Sequence, residues 1–239
     1  MGDSAAELVI ELRDVQKDYR GLRPLRIRHL RVRDGEALAL VGFDQITAEV
    51  LVNLLTGAAV PDAGRVSVFG QPTSAIASGD AWLAWLDRFG ILSARAVLLD
   101  ELTAEQNLAM PFTLELDPIP DTVRSEVRQL ADEVRLGADE LARPLVELSP
   151  LGRLRLRLAR AVALRPRILL AEHPNASVPA RDVLECAETC RALVRRRGIA
   201  SLTLTADRTF AAAVADEVLT LQPATGELKR ASFWRWPLS

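Results

Sequence analysis

The sequence predicts an α/β fold with a parallel core sheet, an antiparallel β layer at its N-terminus and a helical subdomain. Three observations carry this. Apolar residues alternate at Leu8, Ile10 and Leu12, and again at Leu25, Ile27, Leu30 and Val32, the period of half-buried strands. The unbroken apolar run Ala37–Val41 ends at Gly42, and a helical pattern of Val50, Leu51, Leu54 and Leu55 then runs to Gly57. Short apolar runs at Ile168–Ala171, Ser201–Thr205 and Val218–Leu221 supply further buried strands for the parallel sheet.

The elements follow in order. The N-terminal alternation gives the antiparallel layer, and Ala37–Val41 opens the parallel core. A turn at Pro61–Gly64 leads into a short strand, Arg65–Phe69. Helical patterns fill Trp82–Phe89, Thr103–Leu108, Thr122–Val134 and Asp139–Ala142, punctuated by Pro111, Pro118 and Pro120. Ser149-Pro150 is a helix start, because Ser is a favoured N-cap and Pro a favoured first helical residue. Gly152–Leu158, GRLRLRL, has period two and reads as a strand by pattern alone. Arg181–Arg197 is a helix carrying Cys186 and Cys190 on one face; with no further ligands nearby they read as buried free thiols and not as a zinc site.

At 239 residues, 49% hydrophobic and 26% charged, the chain supports one domain, residues 1–239. Residues 1–85 and 160–239 form its core lobe, and 86–159 the helical subdomain. The net charge of −2 gives no basis for a nucleic-acid partner. No stretch nears the roughly 20 apolar residues of a membrane span and no signal peptide precedes the first strand, so a cytoplasmic location is expected.

The strand–turn–helix at Ala37–Gly57 is the frame of an anion site, because free N–H groups and the helix dipole converge at the turn. After it come Asn53-Leu54-Leu55-Thr56-Gly57 and Pro61-Asp62-Ala63-Gly64. Glu101-Leu102-Thr103 with Glu105 and Asn107, Leu148-Ser149 followed by Ala159-Arg160-Ala161, ILLAEHP at Ile168–Pro174 and SLTLTAD at Ser201–Asp207 continue the series. Together these resemble the ATP-binding subunit of an ABC transporter over nearly the whole chain. The resemblance implies a P-loop NTPase-like fold, makes GRLRLRL a helix, and places Arg153, Arg157 and Arg160 along one side of it as a solvated stripe.

The departures from that family bear on function. Where the phosphate loop reads G-x-x-x-x-G-K-[ST], this chain has Gly42, then Thr47, Ala48 and Glu49. The lysine and the magnesium-holding hydroxyl are therefore replaced. The LSGGQ position reads Leu148-Ser149-Pro150-Leu151-Gly152, the metal-binding Asp position holds Glu172, and the catalytic Glu position holds His173. The switch histidine is Ala206, the lid-loop Gln is Ala94 by spacing, and Pro179 stands where the family keeps an Asp. One lost charge-stabilising donor costs roughly 10²–10³ in rate, and a lost water-positioning group roughly 10²–10⁴. A non-additive combination of such losses still leaves no ordinary ATPase.

Candidate site residues implied by the resemblance are Tyr19, where the family stacks adenine, Gly42 in the loop, and Ser149. Each has a plain alternative: Tyr19 a partly buried aromatic, Ser149 a helix cap. Asp44 and Glu49 either fill the place of a phosphate or, in the case of Glu49, simply face solvent in a first helical turn. His173 lacks a companion base or nucleophile and reads as structural. The apolar run Ala96–Leu99, within Ser93–Leu102 where the family grips a membrane partner, is either a docking patch or core.

The leading expectation is a catalytically impaired subunit acting as a structural or regulatory partner in a transport complex. It would be peripheral at the inner face of the membrane through a permease subunit, and paired with itself or another ATP-binding subunit. No cofactor is expected; ATP and Mg²⁺ enter only under the alternative of an active ATPase in which Glu172 holds the metal and His173 places water. A soluble interaction scaffold is the third reading.

Overall fold

Alternating apolar residues make the first layer of the molecule. In the computed structural model, which describes residues 7–76 and 78–231, β1 (Leu8–Lys17) and β2 (Leu25–Arg33) pair antiparallel. Leu12 lies opposite Leu30 and Val15 opposite Ile27. β3 (Ala37–Val41) is buried at all five positions and feeds α1 (Gln45–Leu55). β4 (Ala63–Val68) returns to the free edge of β1, and β5 (Gln71–Pro72) completes a sheet ordered β2-β1-β4-β5. Gly64 is required where β4 meets a bulge in β1. Its φ is +82°, and a Cβ there would lie 2.3 Å from the carbonyl oxygen of Asp14.

α2 (Gly79–Leu86) precedes β6 (Phe89–Ser93). The helical pattern read through Phe89 therefore ends three residues early, and Phe89 opens a strand that the sequence reading did not assign. The physical reason lies at Gly90, where a Cβ would sit 2.4 Å from the carbonyl oxygen of Ala161. A glycine weakens the local strand signal, yet here it admits the backbone of a helix. α3 (Ala104–Ala109), α4 (Asp121–Glu133), α5 (Ala138–Leu141) and α6 (Pro150–Val162) follow between β6 and the next strand. The period-two GRLRLRL segment lies inside α6, as the family resemblance implies.

β7 (Ile168–Glu172), α7 (Val183–Arg197), β8 (Ala200–Thr205), α8 (Arg208–Val214), β9 (Glu217–Gln222) and β10 (Glu227–Arg230) complete the chain. The second sheet runs β10-β9-β3-β8-β7-β6, parallel from β9 to β6, with β10 antiparallel at the edge. Alternate residues of each parallel strand serve two cores. Ala39, Val41, Leu92 and Leu169 pack against the helices of the β6–β7 stretch and against α7 and α8. Leu38, Leu40, Leu170 and Leu202 pack against α1 and the antiparallel layer. Cys186 and Cys190 are buried, as free thiols.

The arginine stripe of α6 differs from the solvated face expected of it. Arg153, Arg157 and Arg160 are all half-buried, and burial lowers the pKa of Arg157 and of Arg160. Arg153 donates to the carbonyl of Val146 at 2.8 Å, and Arg160 to that of Val97 at 2.7 Å. Backbone carbonyls thus serve one nitrogen each of Arg153 and Arg160 in place of water.

Candidate functional site

Gly42 ends β3 with φ +92°, close enough to β9 that a Cβ would lie 3.3 Å from the carbonyl oxygen of Leu221. Asp44 then caps α1. Its Oδ1 accepts from the backbone N–H of Thr47 at 2.7 Å, while Thr47 Oγ1 accepts from the backbone N–H of Asp44 at 3.0 Å. The backbone N–H and then the hydroxyl of Thr47 hold the Asp44 carboxyl below the usual carboxylate range. A donor that a helix start would offer to a bound anion is thus taken by the chain's own carboxylate.

Glu49, in the next part of that turn, points to Arg95. The Nη1 of Arg95 lies 2.9 Å from Glu49 Oε1. Its other two nitrogens grip Glu172, with Nη2 2.5 Å from Oε1 and Nε 3.1 Å from Oε2. Ser93 Oγ donates to the same Oε2 at 2.9 Å. The Glu172 side chain is 0% exposed, against 41% for Glu49 and 42% for Arg95. A buried carboxylate with no partner costs several kcal/mol, and the planar fork of arginine matches a carboxylate with two parallel bonds. The hydrogen bonds of Glu172 raise the already high pKa of Arg95. One guanidinium therefore joins the helix after the first parallel strand to the C-terminal end of β7.

His173 follows with φ +43°. Its backbone N–H donates to Leu204 at 2.8 Å, and its Nε2 is buried with no hydrogen-bond partner among the described residues. Behind it, Thr205 Oγ1 donates to Asn175 Oδ1 at 3.2 Å, and Asn175 Nδ2 donates to Asp207 at 2.9 Å. Asp207 in turn caps α8 through the N–H groups of Thr209 and Phe210. Among the described residues, no group of three or more His, Cys, Asp or Glu is placed to hold a metal.

Tyr19 and Gly42 come together in one cleft of about 380 Å³, lined also by Arg23, Phe43, Asp44 and Thr47. Burial, and then the charge of Asp44, raise the pKa of the Tyr19 phenol. Ser149 is not among the residues lining that cleft; its Oγ accepts from Gly152 N–H at 3.0 Å and caps α6. A second cleft, about 430 Å³, lies between β6 and α6, where Phe89, Ile91, Ala96, Leu98, Arg157 and Arg160 form its walls. Val97 and Leu99, next in sequence to the lining residues Ala96 and Leu98, are exposed.

Arg95 is the site residue that sequence reasoning missed. The available signal was one of charge: neither Glu49 nor Glu172 was paired with a cationic side chain in the sequence reading, and Arg95 pairs with both. Arg95 lies in the turn by which the chain leaves β6 after Ser93.

A sequence model of the ABC transporter family matches residues 25–176. The sulfate/thiosulfate import ATP-binding protein CysA of Bradyrhizobium diazoefficiens is 31% identical over 220 residues, 90% of this chain and 61% of CysA. The chain thus spans about three fifths of the length of that relative. The lipoprotein-releasing system ATP-binding protein LolD of Xylella fastidiosa is 32% identical, covering 80% of this chain and 79% of LolD. Its counterpart in Acinetobacter baylyi is 27% identical, covering 91% and 96%. Among solved structures, cbiO1 from Clostridium perfringens, part of the transporter complex cbiONQ, superposes with TM-score 0.77 at 18% identity, covering 93% of this chain and 87% of cbiO1. A dimeric ATP-binding cassette in a post-hydrolysis state with ADP and Pi superposes with TM-score 0.74 at 20% identity, covering 92% and 97%. The fold is shared with these cassettes, the family match spans more than half of the residues, and the chain belongs to the ABC transporter family as an ATP-binding-type domain.

Proposed function

We propose that this chain is a non-hydrolysing ATP-binding-type subunit, a structural or regulatory member of a membrane transport complex. The observation that carries this reading is the Glu49–Arg95–Glu172 cluster. The two carboxylates stand at the positions the family uses around Mg²⁺, and both are already paired with a guanidinium. A divalent ion entering there would have to displace Arg95 from a fully buried carboxylate, so the donor set does not fit the metal. Ala48 is buried and uncharged at the lysine position, and Asp44 adds a negative charge to the loop, repelling a triphosphate. Tyr19 and Gly42 keep the shape of the base-side cleft without the phosphate chemistry, and Ser149 is spent as a cap.

The partners proposed are a permease subunit and a second ATP-binding-type subunit, this chain's own copy or another. The domain would sit peripherally at the membrane through the permease; none of its described helices is long and apolar enough to cross. The exposed Val97 and Leu99 beside the β6–α6 cleft support a docking patch there. Residues 86–159, apart from β6 which joins the main sheet, would act as the helical subdomain and the rest as the core lobe.

The names of the relatives favour a second reading, an active ATP-binding subunit. Calorimetry with Mg-ATP and a turnover assay, each with the purified chain alone and with a competent partner cassette, separate the two. Neither heat nor turnover from the chain is expected. Tight magnesium-dependent binding followed by phosphate release would establish the active reading instead.

A further inference from the structure

We infer that Arg95 is an internal counter-cation that fixes the segment 94–99, and with it one wall of the β6–α6 cleft, without metal or nucleotide. The inference rests on the proposed reading in taking the Glu49–Glu172 position as a cation site that the chain fills for itself.

The segment leaves the sheet at Ser93 and has no regular secondary structure until α3. It is held at three points, each on a different part of the fold. Arg95 ties it to α1 through Glu49 and to β7 through Glu172. Arg160 of α6 donates to the carbonyl of Val97 at 2.7 Å. Asn107 of α3 takes the N–H of Leu99 at 2.9 Å and donates to its carbonyl at 2.9 Å. The backbone N–H of Arg95 also donates to Ser93 Oγ, the hydroxyl that serves Glu172. Exposed segments with few buried contacts open easily; here the first anchor is a charged pair whose acceptor is fully buried, the strongest of the three.

The consequence is a docking wall whose geometry does not follow the nucleotide state. Ala96 and Leu98 line the cleft between the Arg95 anchor and the Asn107 anchor, so the cleft is pre-formed. Arg95 is a positioning residue, acting on the cleft through the backbone it holds.

Hydrogen exchange read by mass spectrometry on the full chain tests this. Wild-type amides of residues 94–100 should exchange at the same rate with and without Mg-ATP. Arg95→Ala leaves a buried orphan carboxylate, so it is compared with Arg95→Ala/Glu172→Gln, which removes that charge. In both variants the segment should exchange roughly tenfold faster, with the amides of β3 and β8 unchanged. In Arg95→Ala alone, added Mn²⁺ should restore protection, because two carboxylates regain a cation; in the double variant it should not. An unchanged segment in the double variant overturns the anchor, and failure of Mn²⁺ to restore Arg95→Ala overturns the counter-cation role. Wild-type ATP binding with an unmoved segment would sink the proposed function and leave this inference standing. A segment that is already unprotected in the wild type, with no ATP bound, would overturn this inference alone, and one whose exchange changes with nucleotide would overturn both.

Discussion

Asp44 does for α1 part of what a bound anion would do. Its folded-state pKa is lowered by the Thr47 N–H and hydroxyl, so its stabilising contribution is present above the ordinary carboxylate range. That contribution is lost as pH falls through the folded-state value. Asp44→Ala should cost about 1 kcal/mol at neutral pH, the usual worth of an N-cap, and Asp44→Asn much less. Urea denaturation at pH 7 and again near the acid limit checks this: the gap between wild type and Asp44→Ala should close at the acid end. The sequence reading placed Asp44 in the loop as filling the place of a phosphate and did not assign it as the cap of α1. Arg95 was not legible, because its partner Glu172 lies 77 positions away and only the sheet order brings β6 beside β7. The same residue sets a second prediction. Ala48→Lys with Glu49→Ser restores the loop's charge and hydroxyl but leaves Arg95 on Glu172, so Mg-ATP affinity should stay low. Adding Arg95→Gln should then raise it, by calorimetry, at least tenfold, the factor that about 1.4 kcal/mol supplies. Equal affinity in the double and triple variants would show that Arg95 does not obstruct the site.

Helices and strands were legible wherever periodicity and burial agreed. Ala37–Val41 was bounded correctly because all five residues are apolar and both faces of β3 are covered. Phe89–Ser93 was missed because Gly90 interrupts its apolar run and Trp82, Trp85 and Leu86 extend a helical pattern up to its first residue. The GRLRLRL segment reads as a strand by pattern alone and is placed in a helix only through the family resemblance: its leucines face a core on more than one side of α6, with Leu154, Leu156 and Leu158 all buried, so period two reflects wide burial of a helix. Gly90 makes the element scale testable. A methyl there meets the backbone oxygen of Ala161 at 2.4 Å, and backbone cannot turn aside as a flexible side chain does. Gly90→Ala should therefore destabilise by about 1–3 kcal/mol, the cost of overpacking. Gly79, in the first turn of α2, has nothing within 4 Å of a built Cβ; Gly79→Ala should be neutral or slightly stabilising. Denaturant midpoints of the two variants against wild type decide it, and equal effects would mean that α6 does not seat on β6 as closely as described.

The whole molecule is organised by a sheet that serves two cores at once. Ala39 and Val41 face one and Leu38 and Leu40 the other, so no parallel strand belongs to a single side. The helices between β6 and β7 are also tied back to α7. Arg197 donates to Glu133 of α4 at 2.7 Å and to the carbonyl of Val162 of α6 at 2.6 Å, with the side chains of the pair only 16% and 13% exposed. Arg155 of α6 reaches Glu185 of α7 at 2.5 Å. Shared strands and the largely buried Arg197–Glu133 pair argue for one cooperative unit, even though, among the described residues, the antiparallel layer and the helical stretch fall in different hydrophobic clusters. Leu40→Ala tests that argument, because Leu40 is fully buried and belongs to the cluster of the antiparallel layer. Its loss should cost about 2–5 kcal/mol. If the sheet couples the cores, hydrogen exchange under rising urea should show the amides of β1 and those of α6 opening with one shared free energy, lowered equally in the variant. If α6 instead keeps its wild-type protection while β1 loses its own, the two layers unfold separately. The Arg95 anchor, which spans from α1 on one face to the cleft beside α6 on the other, would then join two independent bodies, and its removal would be expected to separate their motions and not merely to loosen one loop.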